Sequence, residues 1–499
     1  MRIYWLNPPI STRTIVADTA WMNMSSFLPE HEWIEPIIDW ELYETLDDVV
    51  NEIVKHNPKV LCLSTYIWNE KLCIEVAKRI KEVSSIEVIR GGPQQTMFDG
   101  IDYNCDPLVP GELYLKDIFD GIDPIKAGKA KFCFPEQSSF EHNIEYLTNV
   151  SGIAKKLNKT SVINFETTRG CPYSCTYCEW GGGVGTKVIQ KPIENVFKEL
   201  DLVCMLGFGN IDIVDANFGI LSRDVEIMQR IADNKKIFNA PKKILIYGIA
   251  KVKVEKREKI LDIGFANGLM DYYSLSIQSI SKDALDAVKR KDITIEENMA
   301  LAKKYRDLYG MSGKLELILG LPGSTIDSFY DEMDLTPNTN IWDWSRGPLT
   351  ILPATEMADP LYKALHGIKT TKIGVTENDD NDITYVSHSV IGKYKSPQEI
   401  VIQTNTFTKE QWKEMFFMNY AQCVLGPLTP KDQKPSVYLR QVYQEIQHED
   451  WFKYIKSEID KLVDGNRVTE DFLLYDGHLI EDWVRKYYVN KEKFNGSYN

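Results

Sequence analysis

The sequence predicts an α/β protein in three parts: a doubly wound parallel sheet over residues 1–135, an open partial (β/α)6 barrel over 161–360, and a mainly helical region over 361–499. Three observations predict it. Short apolar runs alternate with amphipathic helical runs through the first part, and a second strand–helix series begins at Ser161. After Pro360 the pattern turns polar and then helical.

In the first part, Arg2–Leu6 reads as a strand that ends in the turn Asn7-Pro8-Pro9. Thr45–His56 reads as a helix, with Thr45 as its N-cap ahead of Asp48. Lys59–Ser64 is a β-rich run, and Glu70–Val83 sets Leu72, Cys73, Val76 and Ile80 on one helical face. Ile86–Ile89 is a further strand, closed by Gly91-Gly92-Pro93. Alternation of this kind builds a parallel sheet whose ligands lie beyond the carboxyl ends of the strands. The turns at those ends are Asn7-Pro8-Pro9, Ser64-Thr65-Tyr66, Gly91-Gly92-Pro93 and Pro110-Gly111-Glu112. Small residues and prolines there suit either the close approach of a bulky ligand or plain turn closure.

The aperiodic stretch 136–160 reads as a linker. Ser161–Glu166 then leads into a cysteine-rich loop, and Val196–Leu206 is helical. Asn210–Asp215, Lys243–Ile249, Tyr273–Gln278, Lys314–Leu319 and Pro348–Leu352 follow as strands, with chemistry expected at their C-terminal ends. In the tail, the polar segment Asn378–Asp382 precedes helices at Lys409–Leu425, Val437–Ile455 and Asp471–Tyr488. Trp412, Phe416, Phe417, Tyr420, Trp451 and Phe452 fall there at spacings that suit helix packing.

Composition bounds the function. With 43% hydrophobic and 26% charged residues the chain is that of a folded soluble protein. No apolar run approaches the roughly 18–20 residues of a membrane helix, and the N-terminal apolar stretch is too short for a signal peptide. A cytoplasmic location is expected, without a membrane partner. A net charge of −14 argues against a general nucleic-acid surface, which needs clustered Lys and Arg.

Six of the nine cysteines stand singly, at positions 62, 73, 105, 133, 204 and 423, as small buried hydrophobes do in a reducing compartment. Cys171, Cys175 and Cys178 are different. Spacings of three and two residues let one short loop present three thiolates to an iron–sulfur cluster, leaving one iron open to a cofactor or substrate. Such clusters usually take four cysteines, and no fourth lies nearby. From the loop alone, zinc with a remote fourth ligand and chance clustering also stay open.

The segment Glu166-Thr167-Thr168-Arg169-Gly170-Cys171-Pro172-Tyr173-Ser174-Cys175-Thr176-Tyr177-Cys178 follows a strand and puts an aromatic residue before its third cysteine. It resembles the motif of the radical S-adenosylmethionine superfamily. The resemblance implies a 4Fe-4S cluster on Cys171, Cys175 and Cys178, whose open iron binds S-adenosylmethionine. The reduced cluster cleaves that molecule to a 5′-deoxyadenosyl radical, which abstracts hydrogen from unactivated carbon. Later segments are similar in order and placement: Asp212–Phe218, Ser276–Ser279 with Arg290, Leu319–Gly323, and Leu352–Thr355. By this resemblance Tyr177, Asp215, Asn217, Ser276, Gln278, Arg290, Gly320, Pro353 and Thr355 contact S-adenosylmethionine.

The first part resembles the Rossmann-like cobalamin-binding domain that precedes the radical domain in one branch of this superfamily. The residues that carry it are Asn7, Pro8, Pro9, Ser64, Thr65, Tyr66, Trp68, Gly91, Gly92, Pro93, Gly111 and Glu112, which the resemblance assigns to cobalamin. One departure is clear: the cobalt-ligating pattern Asp-x-His-x-x-Gly is absent, and His31 and His56 lie outside any such context. The lower face of cobalt then falls to water or a nearby side chain, with Tyr66 and Trp68 as candidates. The branch implies a cobalamin-dependent methyltransferase, which passes a methyl group via methylcobalamin to an unactivated carbon of a small-molecule or natural-product substrate. A reducing partner such as flavodoxin or ferredoxin is implied too. Cyclisation, ring contraction or rearrangement on the same scaffold is the alternative reading, and a non-catalytic metal sensor a remoter one. The tail lacks clustered cysteines for auxiliary clusters, which favours a small molecule over a long peptide. No acid, base or nucleophile is singled out by the sequence.

Overall fold

The computed structural model describes residues 1–66, 68–94, 99–105, 110–122, 134–182, 187–249, 254–291, 294–311, 313–335, 342–373, 398–464 and 478–489. The chain divides into two units: the first spans Met1–Ser274 and takes in Leu352–Thr355, and the second begins at Leu275. The polar segment Asn378–Asp382 and the residues from Gly183 to Gly185 lie outside the described residues.

The strands of the first unit are β1 (Arg2–Leu6), β2 (Ile15–Ala17), β3 (Glu32–Ile34), β4 (Val60–Ser64), β5 (Glu87–Gly91), β6 (Tyr103–Asn104), β7 (Ser161–Phe165), β8 (Thr168–Arg169), β9 (Ile189–Gln190), β10 (Asn210–Ile213) and β11 (Lys243–Ile246). They form two parallel sheets and one short antiparallel pair. The first sheet has the order β3-β1-β4-β5-β6, with every neighbour parallel. Ranked along the chain this is 2-1-3-4-5, a doubly wound order whose switch point lies between β1 and β4. All five residues of β4 are buried, as a central parallel strand covered on both faces requires. Helices Leu46–Lys55 and Glu70–Val83 cover this sheet and bring Val49, Val50, Ile53, Val76 and Ile80 into one core with Tyr4, Leu61 and Val88. The expected capping box is present: Thr45 Oγ1 accepts from Asp48 N, and the Asp48 carboxylate accepts from Thr45 N.

The second sheet has the order β11-β10-β7-β2, again parallel throughout. Its edge strand β2 comes from the N-terminal part of the chain, which the sequence had assigned wholly to the first sheet. Three residues give no periodicity to read, so this crossing is invisible in the sequence. The stretch expected as a linker, 136–160, is mostly helical, with helices Ser139–His142 and Ile144–Lys156. Tyr146, Leu147, Val150 and Ala154 are buried there, so the segment is part of the core.

Strand β12 (Tyr273–Gln278) carries the chain into the second unit, which continues with β13 (Gly313–Leu319), β14 (Trp342–Pro348), β15 (Lys369–Ile373) and β16 (Gln398–Gln403). Strands β12-β13-β14 form one sheet and β15-β16 an antiparallel pair. The strand expected at Pro348–Leu352 is displaced. Parallel register with β13 recruits Trp342–Pro348 instead, while Leu349 and Ile351 pair onward with β16 through Val401 N to Leu349 O (2.9 Å) and Ile351 N to Glu399 O (2.8 Å). The polar run around Arg346 hides this strand, because Arg346 is buried with an ion pair to Glu332 at 3.0 Å and a hydrogen bond to Asn419 Oδ1 at 3.3 Å.

Helix Lys409–Leu425 lies as expected, but Val437–Ile455 is two helices, Pro435–Ile446 and Asp450–Val463. The break lets Phe452 pack edge-on against both Phe417 (4.9 Å) and Tyr443 (5.6 Å), which one straight helix would not allow. The tail aromatics are therefore helix packing. Of the helix expected at Asp471–Tyr488, the described part holds His478–Val484 followed by a π-turn, Arg485–Val489. Among the described residues no helix is long and apolar enough to cross a membrane.

Candidate functional site

The cysteine loop is closed at its base. Strands β8 and β9 pair antiparallel, Thr168 opposite Gln190 and Arg169 opposite Ile189, and Lys191 N donates to Thr167 O at 3.0 Å. The described residues between Arg169 and Ile189, the three cysteines among them, are thus rooted in a two-residue ribbon. Cys171 and Cys175 are buried and Cys178 is half-buried, with Cys178 N donating to Cys175 O at 3.1 Å. Among the described residues no three His, Cys, Asp or Glu side chains converge as ligands of a single metal ion. A cubic cluster places its thiolates on different irons and needs no such convergence. Asn217 Nδ2 donates to Cys171 Sγ at 3.0 Å, the kind of contact that tunes a cluster's potential.

A buried polar frame holds the loop's root. The Asp215 carboxylate, 1% exposed, accepts from Thr167 N at 2.6 Å, Thr168 N at 3.1 Å and Thr168 Oγ1 at 3.0 Å, and from Thr167 Oγ1. Burial still pushes its pKa up to about 6, although these donors pull it down. Arg223 donates to Thr167 O (2.8 Å) and Lys191 O (2.5 Å), bridging the two sides of the ribbon. The Lys191 ammonium pairs with Glu199 at 2.7 Å, and Glu199 also accepts from Ser138 Oγ at 3.0 Å. The rings of Phe134, Phe140 and Phe165 surround that ammonium at 5.5, 5.5 and 5.6 Å. Arg169 pairs with Glu166 at 2.9 Å and with Glu112 at 3.0 Å. Burial alone would lower its pKa, but the two carboxylates outweigh that and raise it.

Beside this loop lies a cavity of about 1260 Å³, larger than the ~300–1,000 Å³ of an ordinary small-molecule pocket. One wall is the carboxyl end of the first sheet at its switch point. Asn7, Pro8 and Pro9, Tyr66 and Trp68, Gly91–Pro93, and Gly111 and Glu112 all line it. Tyr66 and Trp68 stack with centroids 4.5 Å apart and planes 6° from parallel. Gly92 has φ +94°, and a Cβ there would sit 2.2 Å from Thr65 O, so only glycine fits. The opposite wall is the second sheet, with Asn164, Glu166, Arg169, Asp212 and Tyr247.

Ser64 and Thr65 differ from the other N-terminal candidates, since both are buried and neither lines the cavity. Thr65 braces the sheet end, its N and Oγ1 donating to Gly91 O at 2.9 and 2.7 Å. Asn69, at the end of the Ser64–Asn69 segment, does related work: its Nδ2 donates to Pro8 O and Ser64 O, both at 3.1 Å, tying the ends of β1 and β4 together.

The remaining candidates fall in separate places. Tyr177 is half-buried on the cysteine loop. Pro353 is exposed, and Thr355 is buried, its Oγ1 donating to Leu352 O at 2.7 Å. In the second unit, Arg290 donates to Ser276 O, and Ser276 Oγ donates to Glu316. Gln278 has φ +68° and spans a tight turn in which Ser279 N donates to Ile277 O at 2.9 Å. A γ-turn at a non-glycine residue stores strain of a kind that clusters at functional sites. Gly320 has φ +92°, beside Phe407 and Trp412.

Comparison with known proteins bears on the same segments. Residues 165–336 match the family model of the radical SAM superfamily. The chain is 27% identical over 423 residues to the cobalamin-dependent radical SAM methyltransferase TokK of Streptomyces tokunonensis, covering 77% of this chain and 59% of that one. It is 28% identical over 388 residues to the 2-(S-pantetheinyl)-carbapenam-3-carboxylate methyltransferase of Streptantibioticus cattleyicolor, covering 72% of this chain and 56% of that one. The chain thus spans less than two thirds of either relative's length. In fold it is similar to the radical S-adenosylmethionine methyltransferase TsrM of Kitasatospora setae, solved with tryptophan and an S-adenosylmethionine analogue (TM-score 0.57, 15% identity, 99% of each chain). It is also similar to the cobalamin-dependent radical enzyme OxsB, solved with aqua-cobalamin and S-adenosylmethionine (TM-score 0.55, 15% identity, 100% of this chain and 81% of that one). The matched residues begin at Phe165, the last residue of the strand before the three cysteines, and take in all three.

Proposed function

We propose that the protein is a cobalamin-dependent radical SAM methyltransferase acting on an unactivated carbon of a small-molecule or natural-product substrate. The observation that carries it is a single cavity of about 1260 Å³ running from the switch point of the first sheet to the strand that feeds the cysteine loop. The residues present fit the groups this function needs. A loop with three cysteines, rooted by Asp215, Arg223 and Lys191, suits a cluster with an open iron. A wall of prolines, glycines and one flat aromatic stack suits a large planar ring held by close backbone approach.

On this reading Cys171, Cys175 and Cys178 hold the 4Fe-4S cluster, and Asn217 tunes the Cys171 thiolate. Tyr177, Asp215, Asn217, Ser276, Gln278, Arg290, Gly320, Pro353 and Thr355 serve S-adenosylmethionine, Asp215 by fixing the loop root. Asn7, Pro8, Pro9, Tyr66, Trp68, Gly91, Gly92, Pro93, Gly111 and Glu112 face cobalamin, while Ser64 and Thr65 brace that wall from behind. When bound, the cluster with S-adenosylmethionine supplies the radical that removes hydrogen, and cobalamin supplies the methyl carrier. The protein orients the groups and excludes competing reactions. The segments 1–135, 161–360 and 361–499 serve as cobalamin domain, partial (β/α)6 barrel and helical domain, and a flavodoxin or ferredoxin supplies electrons.

The test is anaerobic reconstitution with iron, sulfide and hydroxocobalamin, removal of unbound cofactor, then reductant and methyl-deuterated S-adenosylmethionine. Label transferred to bound cobalamin, with 5′-deoxyadenosine that disappears in Cys175→Ala, is the expected result. Cleavage of S-adenosylmethionine with no cobalamin retained would overturn methyl transfer and leave another radical reaction.

A further inference from the structure

The cavity wall formed by the second sheet carries a carboxylate that has no cation partner among the described residues. Asp212 lies near the C-terminal end of β10, paired in register with Asn164 of β7 on one side and Leu245 of β11 on the other. Asn164, Asp212 and Leu245 all line the cavity. The cations of that lining are already engaged: Arg169 by Glu112 and Glu166, and Lys243 by Asp271 at 2.5 Å. Among the described residues the polar partner of the Asp212 side chain is the Tyr247 hydroxyl, at a long 3.5 Å. Glu166 and Glu179 line the same space, so an anionic ligand would meet carboxylates there.

We propose that Asp212 and Tyr247 form a substrate subsite that takes a protonated amine. The inference rests on the radical methyltransferase reading and adds the charge class of its substrate. Asp212 is half-buried, and a carboxylate partly withdrawn from water is best satisfied by a cation or hydrogen-bond donors, of which the described residues supply one weak one. Burial accordingly pushes the Asp212 pKa up to about 6. An ammonium group donating to Asp212 Oδ2 would complete a charge-assisted hydrogen bond. Tyr247 lines the same cavity with more than half of its surface exposed. Asn164, directly across from Asp212, offers an amide to orient a neighbouring polar group.

The holoprotein, loaded with cluster and cobalamin, is titrated with phenethylamine, 3-phenylpropanamide and 3-phenylpropanoate and followed by ligand-observed NMR. These probes share a ring and differ in charge. The amine is expected to bind about tenfold more tightly than the amide, and the carboxylate more weakly than either. The amine's advantage should vanish in Asp212→Asn and shrink in Tyr247→Phe, with cobalamin content unchanged in both. Equal binding of the three probes by the native protein overturns the subsite, as does an amine preference that survives Asp212→Asn. Loss of cobalamin from Asp212→Asn overturns it too, since Asp212 would then serve the corrin. A native protein that retains no cobalamin and cleaves no S-adenosylmethionine refutes the methyltransferase reading instead, and the probe series on that same protein still decides the subsite.

Discussion

The first unit carries two parallel sheets whose carboxyl ends are finished in opposite ways. The first sheet ends in backbone: prolines, glycines and a stacked Tyr66–Trp68 pair, with Glu112 the charged group among the candidates there. The second ends in a buried polar frame of Asp215, Arg223, Lys191, Glu199 and Arg169 around the root of one loop. The difference teaches what each end must do. A surface that receives a preformed ring needs close approach and few desolvated charges. A loop that presents three thiolates must hold its shape against their repulsion, and buried charge pairs specify one geometry at the cost of desolvation.

The largest effect should come from emptying the loop while sparing the other end. Cys175→Ala is expected to abolish bound cluster iron while cobalamin retention stays native, read by iron and sulfide analysis beside the corrin absorbance. Loss of both would show that the two ends fold as one site. Next comes the frame. Glu199→Gln leaves the Lys191 ammonium buried without its carboxylate and should destabilise the protein by about 3 kcal/mol, seen in denaturant unfolding. It should also speed cluster loss without changing cobalamin content. A neutral result would mean that the aromatic ring cage alone holds the ammonium.

Gly92→Ala reverses the pattern. A Cβ forced to within 2.2 Å of Thr65 O at φ +94° should cost about 2 kcal/mol and release cobalamin, while cluster iron remains. The smallest effect is a pH slope. Burial raises the Asp212 pKa from 3.8 to about 6, so the folded chain holds this proton more tightly than the unfolded one. Its contribution to stability is fully present below pH 3.8 and is lost as pH rises through about 6. Asp212→Asn should therefore gain on the native protein between those limits, by less than the ~3 kcal/mol that the full displacement from 3.8 to about 6 would give because Asp212 is only half-buried, measured as a widening difference in Tm. A constant difference would place Asp212 in ordinary solvent.

Much of the first sheet was legible because a parallel sheet is buried on both faces, so β1, β4 and their helices announce themselves as apolar runs with matching caps. The cysteine loop was legible because three thiolates at short spacing have few other uses. Legibility failed where pairing overrode pattern. Strand β2 is too short to show a period, β14 carries a buried arginine, and the stretch 136–160 buries only one face of its helix. Lys191 and Arg223 had no motif to mark them, and the motifs holding Asn69 and Asp212 did not give their roles, since each gains its role from partners distant in sequence.

The sequence by itself determined the three-thiolate loop and most of the strand–helix order, because both depend on local spacing: thiolate to thiolate, and strand to helix to turn. Only the tertiary structure decided which side chains brace a wall and which face the cavity. Thr65 turns inward to Gly91, Asp215 is consumed by Thr167 and Thr168, and Asp212 is left looking into the cavity. Those outcomes follow from the desolvation cost of each polar group, which depends on everything packed around it in three dimensions.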